Sequence, residues 1–210
     1  MTNSIHNVFL EKINKLSDEE EIILTKNISS LLLEVHEVKD STVNWKQEFT
    51  DEINLSLFKH GLMKNQGLKD YVLIDLLNSN TFLLKDRSVS RLIKGNSLFN
   101  LIINDDLTLN YEIDEKLGDK IIDLVELNTL AYYKPSLAKK IFEAKFKNLN
   151  SKKIYKLFTY YSAKYTIDLI VEKSKVNSSD EDLLLEYQEI IDFIFNSYED
   201  FTRYNPKWLE

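Results

Sequence analysis

No cysteine occurs among the 210 residues. Disulfides, thiolate catalysis and cysteine-based zinc sites are therefore excluded. Glycine and proline are almost as scarce, with Gly61, Gly67, Gly95, Gly118, Pro135 and Pro206 as the full set. These residues punctuate hairpins and loops, and a β-sandwich or an α/β enzyme of this length normally needs many more. Arginine is limited to Arg87, Arg91 and Arg203 against 24 lysines, a poor supply for bidentate phosphate or base recognition. No stretch approaches the ~20 apolar residues of a membrane span. The opening "MTNSIHNVFLEKINKLSDEEE" has no basic segment followed by a long apolar core, so it does not read as a signal peptide. The expectation is a soluble, cytoplasmic protein that does not engage a membrane.

What remains is a chain built for a packed core. Hydrophobic residues make up 43% and aromatics 11%, which separates it from disordered sequences. The net charge of −7 is unevenly spread: residues 131–175 carry 11 lysines against three acids, and 176–210 carry two basic and nine acidic side chains.

Helix signals dominate. Ser17-Asp18-Glu19-Glu20 is a capping-box pattern. Behind it, Leu24, Ile28, Leu31, Val35 and Val38 form one apolar stripe at helical spacing. Ser41 or Thr42 can cap the next helix, where Trp45, Phe49, Ile53 and Leu57 recur every four residues and Gly61 ends the run. Residues 68–77 read as a short helix with Leu68, Tyr71, Val72 and Leu76 on one side. "RSVSRLIKGNSLFNLIIN" reads as two short helices broken at Gly95-Asn96. "LTLNYEI" alternates with period two and reads as an extended connector; "NTFLL" (80–84) is the alternative, as its strand partner. A helix is expected from Asp114 to Tyr133, ended by Pro135. Another follows to a break at 148–151. Ser178-Ser179-Asp180-Glu181-Asp182 then caps a last long helix carrying Leu183, Tyr187, Ile190, Ile191, Ile194 and Tyr198. Trp208 docks the tail.

The fold expected is all-α: an irregular helical bundle or short helical array of about seven to nine helices, with one short extended segment near 107–113. One domain over 1–210 is expected, with a soft boundary within 103–113. No repeat period emerges.

Motifs for chemistry are few. His6, His36 and His60 include no pair at i+3 or i+4, and no Glu-x-x-His occurs, so the bundle-type dinuclear metal pattern is missing. His36 between Glu34 and Glu37 reads as an exposed polar patch. No Gly-x-Ser-x-Gly elbow is present. Lys94-Gly95-Asn96-Ser97 lacks the glycines and preceding strand of a phosphate loop. Asn104-Asp105-Asp106 lacks the spacing and sixth-position glycine of a calcium loop. No metal and no cofactor are expected.

Two charged surfaces stand out. Lys153, Lys156, Tyr160 and Lys164 recur along one helical strip within the lysine-rich 139–164 region, where lysines can follow a phosphate backbone and a tyrosine can stack on bases. Asp180, Asp182, Glu186 and Glu189 form an acidic counterpart suited to docking a basic partner. The functional expectation is a non-catalytic module that binds another protein, as adaptor, accessory subunit or inhibitor. A nucleic-acid-binding helical protein is the alternative, and an enzyme with a buried carboxylate site between helices is a third reading.

Overall fold

A computed structural model describes residues 7–37, 44–146 and 152–210. His6, Val38, Ser41, Thr42 and the expected break at 148–151 lie outside the described residues. The described chain is mostly helical, with eight α-helices and two small antiparallel ladders. It divides into two compact units, each discontinuous in sequence. Residues 103–113 lie inside the second.

The first unit contains Asn44–Arg87 and Lys152–Glu210. Its helices are α3 (Trp45–Gly61), α4 (Asp70–Ser79), α7 (Lys152–Lys175) and α8 (Glu181–Ser197). α7 is the element the others pack on, because it is buried nearly all round: Leu157, Phe158, Tyr160, Tyr161, Ala163 and Ile167 are each 1% exposed or less. A buried tyrosine or tryptophan needs a partner for its polar tip, and every helix supplies one. Trp45 Nε1 on α3 donates to Tyr161 OH at 2.9 Å. Tyr160 OH donates to the Leu77 carbonyl of α4 at 3.0 Å. Ser162 Oγ and Tyr198 OH, just past α8, lie 3.1 Å apart. Trp208 meets Phe158 edge-on at 6.2 Å, so the tail docks as its composition indicates. In α4 the inward residues are Leu73 and Leu77, while Leu68, Tyr71 and Val72 are exposed. The expected apolar side of this helix is thus rotated: the buried Asp70, bonded to His60 at 2.8 Å, takes the inward position one turn before Leu73.

The second unit holds the described residues within 7–37 and 88–146. α1 (Asn7–Ile13) and α2 (Asp18–Val35) lead into it, and α5 (Leu127–Tyr133) and α6 (Pro135–Phe146) complete its helical part. Ser17 caps α2 as expected, with both halves of the capping box formed. Leu24, Ile28, Leu31, Leu32 and Val35 of α2 face Leu137, Ala138, Ile141 and Phe142 of α6, all buried. Part of the basic island is consumed here. The buried Glu21 pairs with Lys134 at 2.8 Å and Lys140 at 2.7 Å, and Ser136 Oγ donates to it at 3.2 Å. Burial pushes the Glu21 carboxyl up, but the two ammonium groups outweigh it and hold the group below the usual carboxylate range.

The all-α expectation is corrected in the middle of this unit. Strand β1 (Ser90–Ile93) pairs antiparallel with β4 (Ile113–Gly118), with an irregularity between Arg91 and Ile93. The Lys94 amide extends the ladder to the Glu112 carbonyl at 2.8 Å. β2 (Ile102–Ile103) pairs with β3 (Leu109–Asn110) as a hairpin. Within "LTLNYEI" only Leu109–Asn110, paired with Ile102–Ile103, and Ile113, which opens β4, are strand, and Leu107 turns at φ 65°; Thr81–Leu84 is a 3-10 turn, not a strand partner. The helix expected from Asp114 is also replaced. The chain stays extended to Gly118, makes a turn at Ile122–Leu124 and becomes helical only at Leu127. A buried Asp119 drives that switch by accepting the Ile121 amide at 3.1 Å, a side-chain turn that competes with strand pairing.

Two stability measurements check this packing. Tyr161→Phe leaves the buried Trp45 N–H without an acceptor and is expected to cost roughly 1–3 kcal/mol, read as a lower Tm. Glu21→Gln is expected to lower Tm at pH 7. Because the native pKa is depressed, the stabilisation is present above the unfolded value and lost as pH falls through the native one. The gap between variant and wild type should therefore close in acid.

Candidate functional site

The segment between β1 and β2 is held by hydrogen bonds on both of its sides. Gly95 adopts φ 71°, ψ 14°, the left-handed region that favours glycine. A Cβ there would also meet Asn100 Nδ2 at 2.9 Å. That amide donates to the Lys94 carbonyl at 2.8 Å and closes the loop on itself. Between them, Ser97 is extended and Leu98–Asn100 forms a 3-10 turn, with the Asn100 amide donating to the Ser97 carbonyl at 3.2 Å.

On its outer side the loop meets the start of β4. The Gly95 amide donates to Asp114 Oδ2 at 3.3 Å. The exposed Lys94 ammonium pairs with the Glu112 carboxylate, which holds its pKa above the usual lysine value. Lys94, Glu112 and Asp114 thus gather at one rim, with a backbone N–H and the Asn100 amide beside them.

On its inner side the loop hangs from two buried carboxylates. Asp123 Oδ2 accepts the Ile93 amide at 3.0 Å and faces His36 Nε2 at 2.9 Å. Glu126 Oε2 accepts the Ser97 hydroxyl at 2.7 Å and lies 3.5 Å from the Phe99 amide. Asp119, Asp123 and Glu126 are spaced four and three apart, so one turn-rich segment aims three acids inward. Burial pushes Asp123 up and His36 down, each opposed by the other partner. Burial raises Glu126 to about 7, and lowers Lys145, which donates to the Leu32 carbonyl at 2.9 Å, to about 8. His36 is therefore not the exposed patch its sequence neighbours imply. It is 6% exposed and sits at the C-terminal cap of α2, where the chain turns it inward onto Asp123.

The residues singled out from sequence lie in the first unit, whereas this loop belongs to the second. Tyr160 is fully buried, and burial raises its phenol pKa, so it has no face for a base. Its i, i+4 spacing from Lys156 and Lys164 belongs to a helix buried on several sides. Lys153 is exposed. Lys156 lies over the Tyr204 ring at 5.1 Å, and Lys164 pairs with Asp168 at 2.6 Å. Asp180 caps α8 by accepting the Leu183 amide at 3.4 Å. Asp182 and Glu189 are exposed and Glu186 is half-buried on the same helix. A cleft of about 1180 Å³ between the ends of α3, α7 and α8 is lined by Lys59, Lys64, Leu62, Leu68 and Phe195 among others. Among the described residues no helix is long and apolar enough to cross a membrane.

No family model matches the sequence, and no curated protein matches it. Two solved structures share its fold. One is the ADP-bound aminoglycoside phosphotransferase APH(2'')-Ib, with a TM-score of 0.51 and 16% identity over 88% of this chain and 67% of that one. The other is the gentamicin complex of APH(2'')-IIa, with a TM-score of 0.52 and 16% identity over 87% of this chain and 65% of that one. The chain thus spans about two thirds of the length of the phosphotransferases it resembles. At this identity the likeness is one of fold. It corrects the expectation of a non-catalytic adaptor or inhibitor, which rested on an absence of motifs: the architecture is one that enzymes use.

Glu126 yields a pH-dependent outcome. Between about 4.5 and about 7 the native state holds a proton that the unfolded chain has released, so stability falls as pH rises through that window. The loss should reach up to roughly 3 kcal/mol and level off above it. Glu126→Gln is expected to remove this slope in thermal melts recorded from pH 4.5 to 8.

Proposed function

We propose that this chain is a phosphotransferase whose phosphate-handling site is the Lys94–Asn100 loop with Asp114. The observation that carries the reading is the Gly95–Asp114 hydrogen bond. It joins a strand-to-strand loop to the carboxylate that follows the next hairpin, in a fold shared with an ADP-bound phosphotransferase.

Protein kinases carry this chemistry on a loop with an aspartate that takes the acceptor's proton and an asparagine five residues on, followed by a metal-holding aspartate. Here the order of parts is similar and the contents differ. Lys94–Leu101 contains no aspartate, glutamate or histidine, and its carboxamides Asn96 and Asn100 stand four apart. The sequence also has no glycine-rich phosphate loop. Phosphoryl transfer makes limited covalent demands on a protein and depends mainly on positioning and charge. Lys94 supplies the cation, the Gly95 segment supplies backbone, and Asn100 keeps the loop closed.

Among the described residues no three His, Asp or Glu side chains converge as ligands. A magnesium ion is commonly held by one or two carboxylates together with substrate phosphates, and the half-buried Asp114 fits that arrangement. Asp114 is the residue that would hold it, and the ion would neutralise phosphate charge there. Lys94 balances Glu112 until a phosphate competes for its ammonium.

The experiment is calorimetric titration with Mg-ADP and Mg-ATP, with γ-phosphate release as a second readout. Binding is expected, and Asp114→Ala is expected to weaken it about tenfold or more, equivalent to at least ~1.4 kcal/mol. Asp106→Asn, on the hairpin turn, should leave it unchanged. Wild-type protein that binds neither nucleotide would overturn the reading.

A further inference from the structure

The buried carboxylate of Glu126 is an expensive group whose role the phosphate-handling rim does not by itself require. Burying a carboxylate costs free energy unless its hydrogen bonds return a specific geometry. Glu126 immediately precedes α5 yet makes no side-chain cap to that helix. Its oxygen is turned to the loop, onto Ser97 Oγ at 2.7 Å, and the Ser97 side is itself buried. Ser97 is the residue from which the Leu98–Asn100 turn starts, and Asn100 closes back on Lys94. A continuous chain of contacts therefore runs from Glu126 through Ser97 and Asn100 to the rim.

We infer that Glu126 is a positioning residue: by holding the Ser97 hydroxyl it fixes the 97–100 turn, and with it the placement of Lys94, and of the Gly95 amide that holds Asp114, beside a phosphate ligand. The nature of that ligand rests on the phosphotransferase reading; the clamp itself does not. An ionised carboxylate accepts hydrogen bonds more strongly than a neutral carboxyl. The clamp therefore tightens as pH rises through about 7, while global stability moves the other way. The groups acting on Glu126 are Asp123, whose charge raises it, and the donors Ser97, Leu98 and Phe99. His36 and Lys145 act on Asp123 in turn. These opposite signs separate positioning from ordinary structural support.

The test compares wild type, Ser97→Ala, Ser97→Thr and Glu126→Gln by Mg-ADP titration at pH 6 and pH 8. Amide exchange of Leu98, Phe99 and Asn100 is measured in parallel without nucleotide and corrected for intrinsic pH dependence. Ser97→Ala should weaken Mg-ADP binding roughly tenfold at pH 8 and speed exchange at these amides by a similar factor, with Ser97→Thr restoring both. Wild type should bind several-fold tighter at pH 8 than at pH 6, and Glu126→Gln should lose that difference while still binding. Equal binding and an equal pH response in all four proteins, with Asp114→Ala still impaired, would overturn the inference. If no protein binds Mg-ADP, the phosphotransferase reading fails and exchange decides the clamp. Faster exchange in Ser97→Ala then supports it, and unchanged exchange overturns it.

Discussion

Asp123 is the pivot of the second unit. One buried carboxylate oxygen takes the backbone amide that ends β1 and faces the imidazole that ends α2. A strand end and a helix end are thereby fixed to one atom. A four-residue strand paired to a six-residue one is marginal by itself, so the loop that follows β1 borrows its rigidity from below. The fold accommodates the electrostatic cost through the neighbours it supplies: His36, the Ile93 amide and the half-buried Lys145.

The same economy explains the loop's composition. Gly95 is needed for its left-handed backbone and for the close approach of Asn100. Ser97 brings a hydroxyl to Glu126 at 2.7 Å, with Leu98 and Phe99 buried beside it. Phe99 also packs edge-on against Phe9 of α1 at 5.3 Å. The rim residues above, Lys94, Glu112 and Asn100, are the exposed ones. The loop is thus apolar and clamped beneath, and charged where it can meet a ligand.

Long helices were legible in the sequence because their stripes are long. The Ser17 capping box, the α2 stripe from Leu24 to Val35, the Trp45–Phe49–Ile53 face, a cap within Ser178–Asp182 and the docked Trp208 all stand as the spacing implies. The site was not legible, for a related reason. β1 has four residues of mixed burial and β2 has two, too few for period-two alternation to register. Without a visible strand, Lys94-Gly95-Asn96-Ser97 lacks the context that gives a phosphate loop its meaning. Asp119, Asp123 and Glu126 do carry a signal, acids at helical spacing amid isoleucine, leucine and valine. On an amphipathic helix that pattern is a wet face; here Asp123 and Glu126 are flanked by Ile122, Leu124, Val125 and Leu127, which marks those two acids as buried. In the lysine–aromatic island Tyr160 departs from the exposed strip its spacing suggests, because it is fully buried and donates to α4, while Lys153 stays exposed.

The interleaved connectivity of the two units sets an order of events during synthesis. α3 is made early, but the tyrosine that receives the Trp45 indole lies 116 residues downstream. At ~5–20 residues per second, the aromatic face of α3 waits roughly 6–23 s for its partner to be synthesised. The second unit has its last segment before α7 is made, so its core can close while Trp45 and Phe49 are still uncovered. Chain order thus makes the aromatic face of α3 the last of the early helices' surfaces to find its cover.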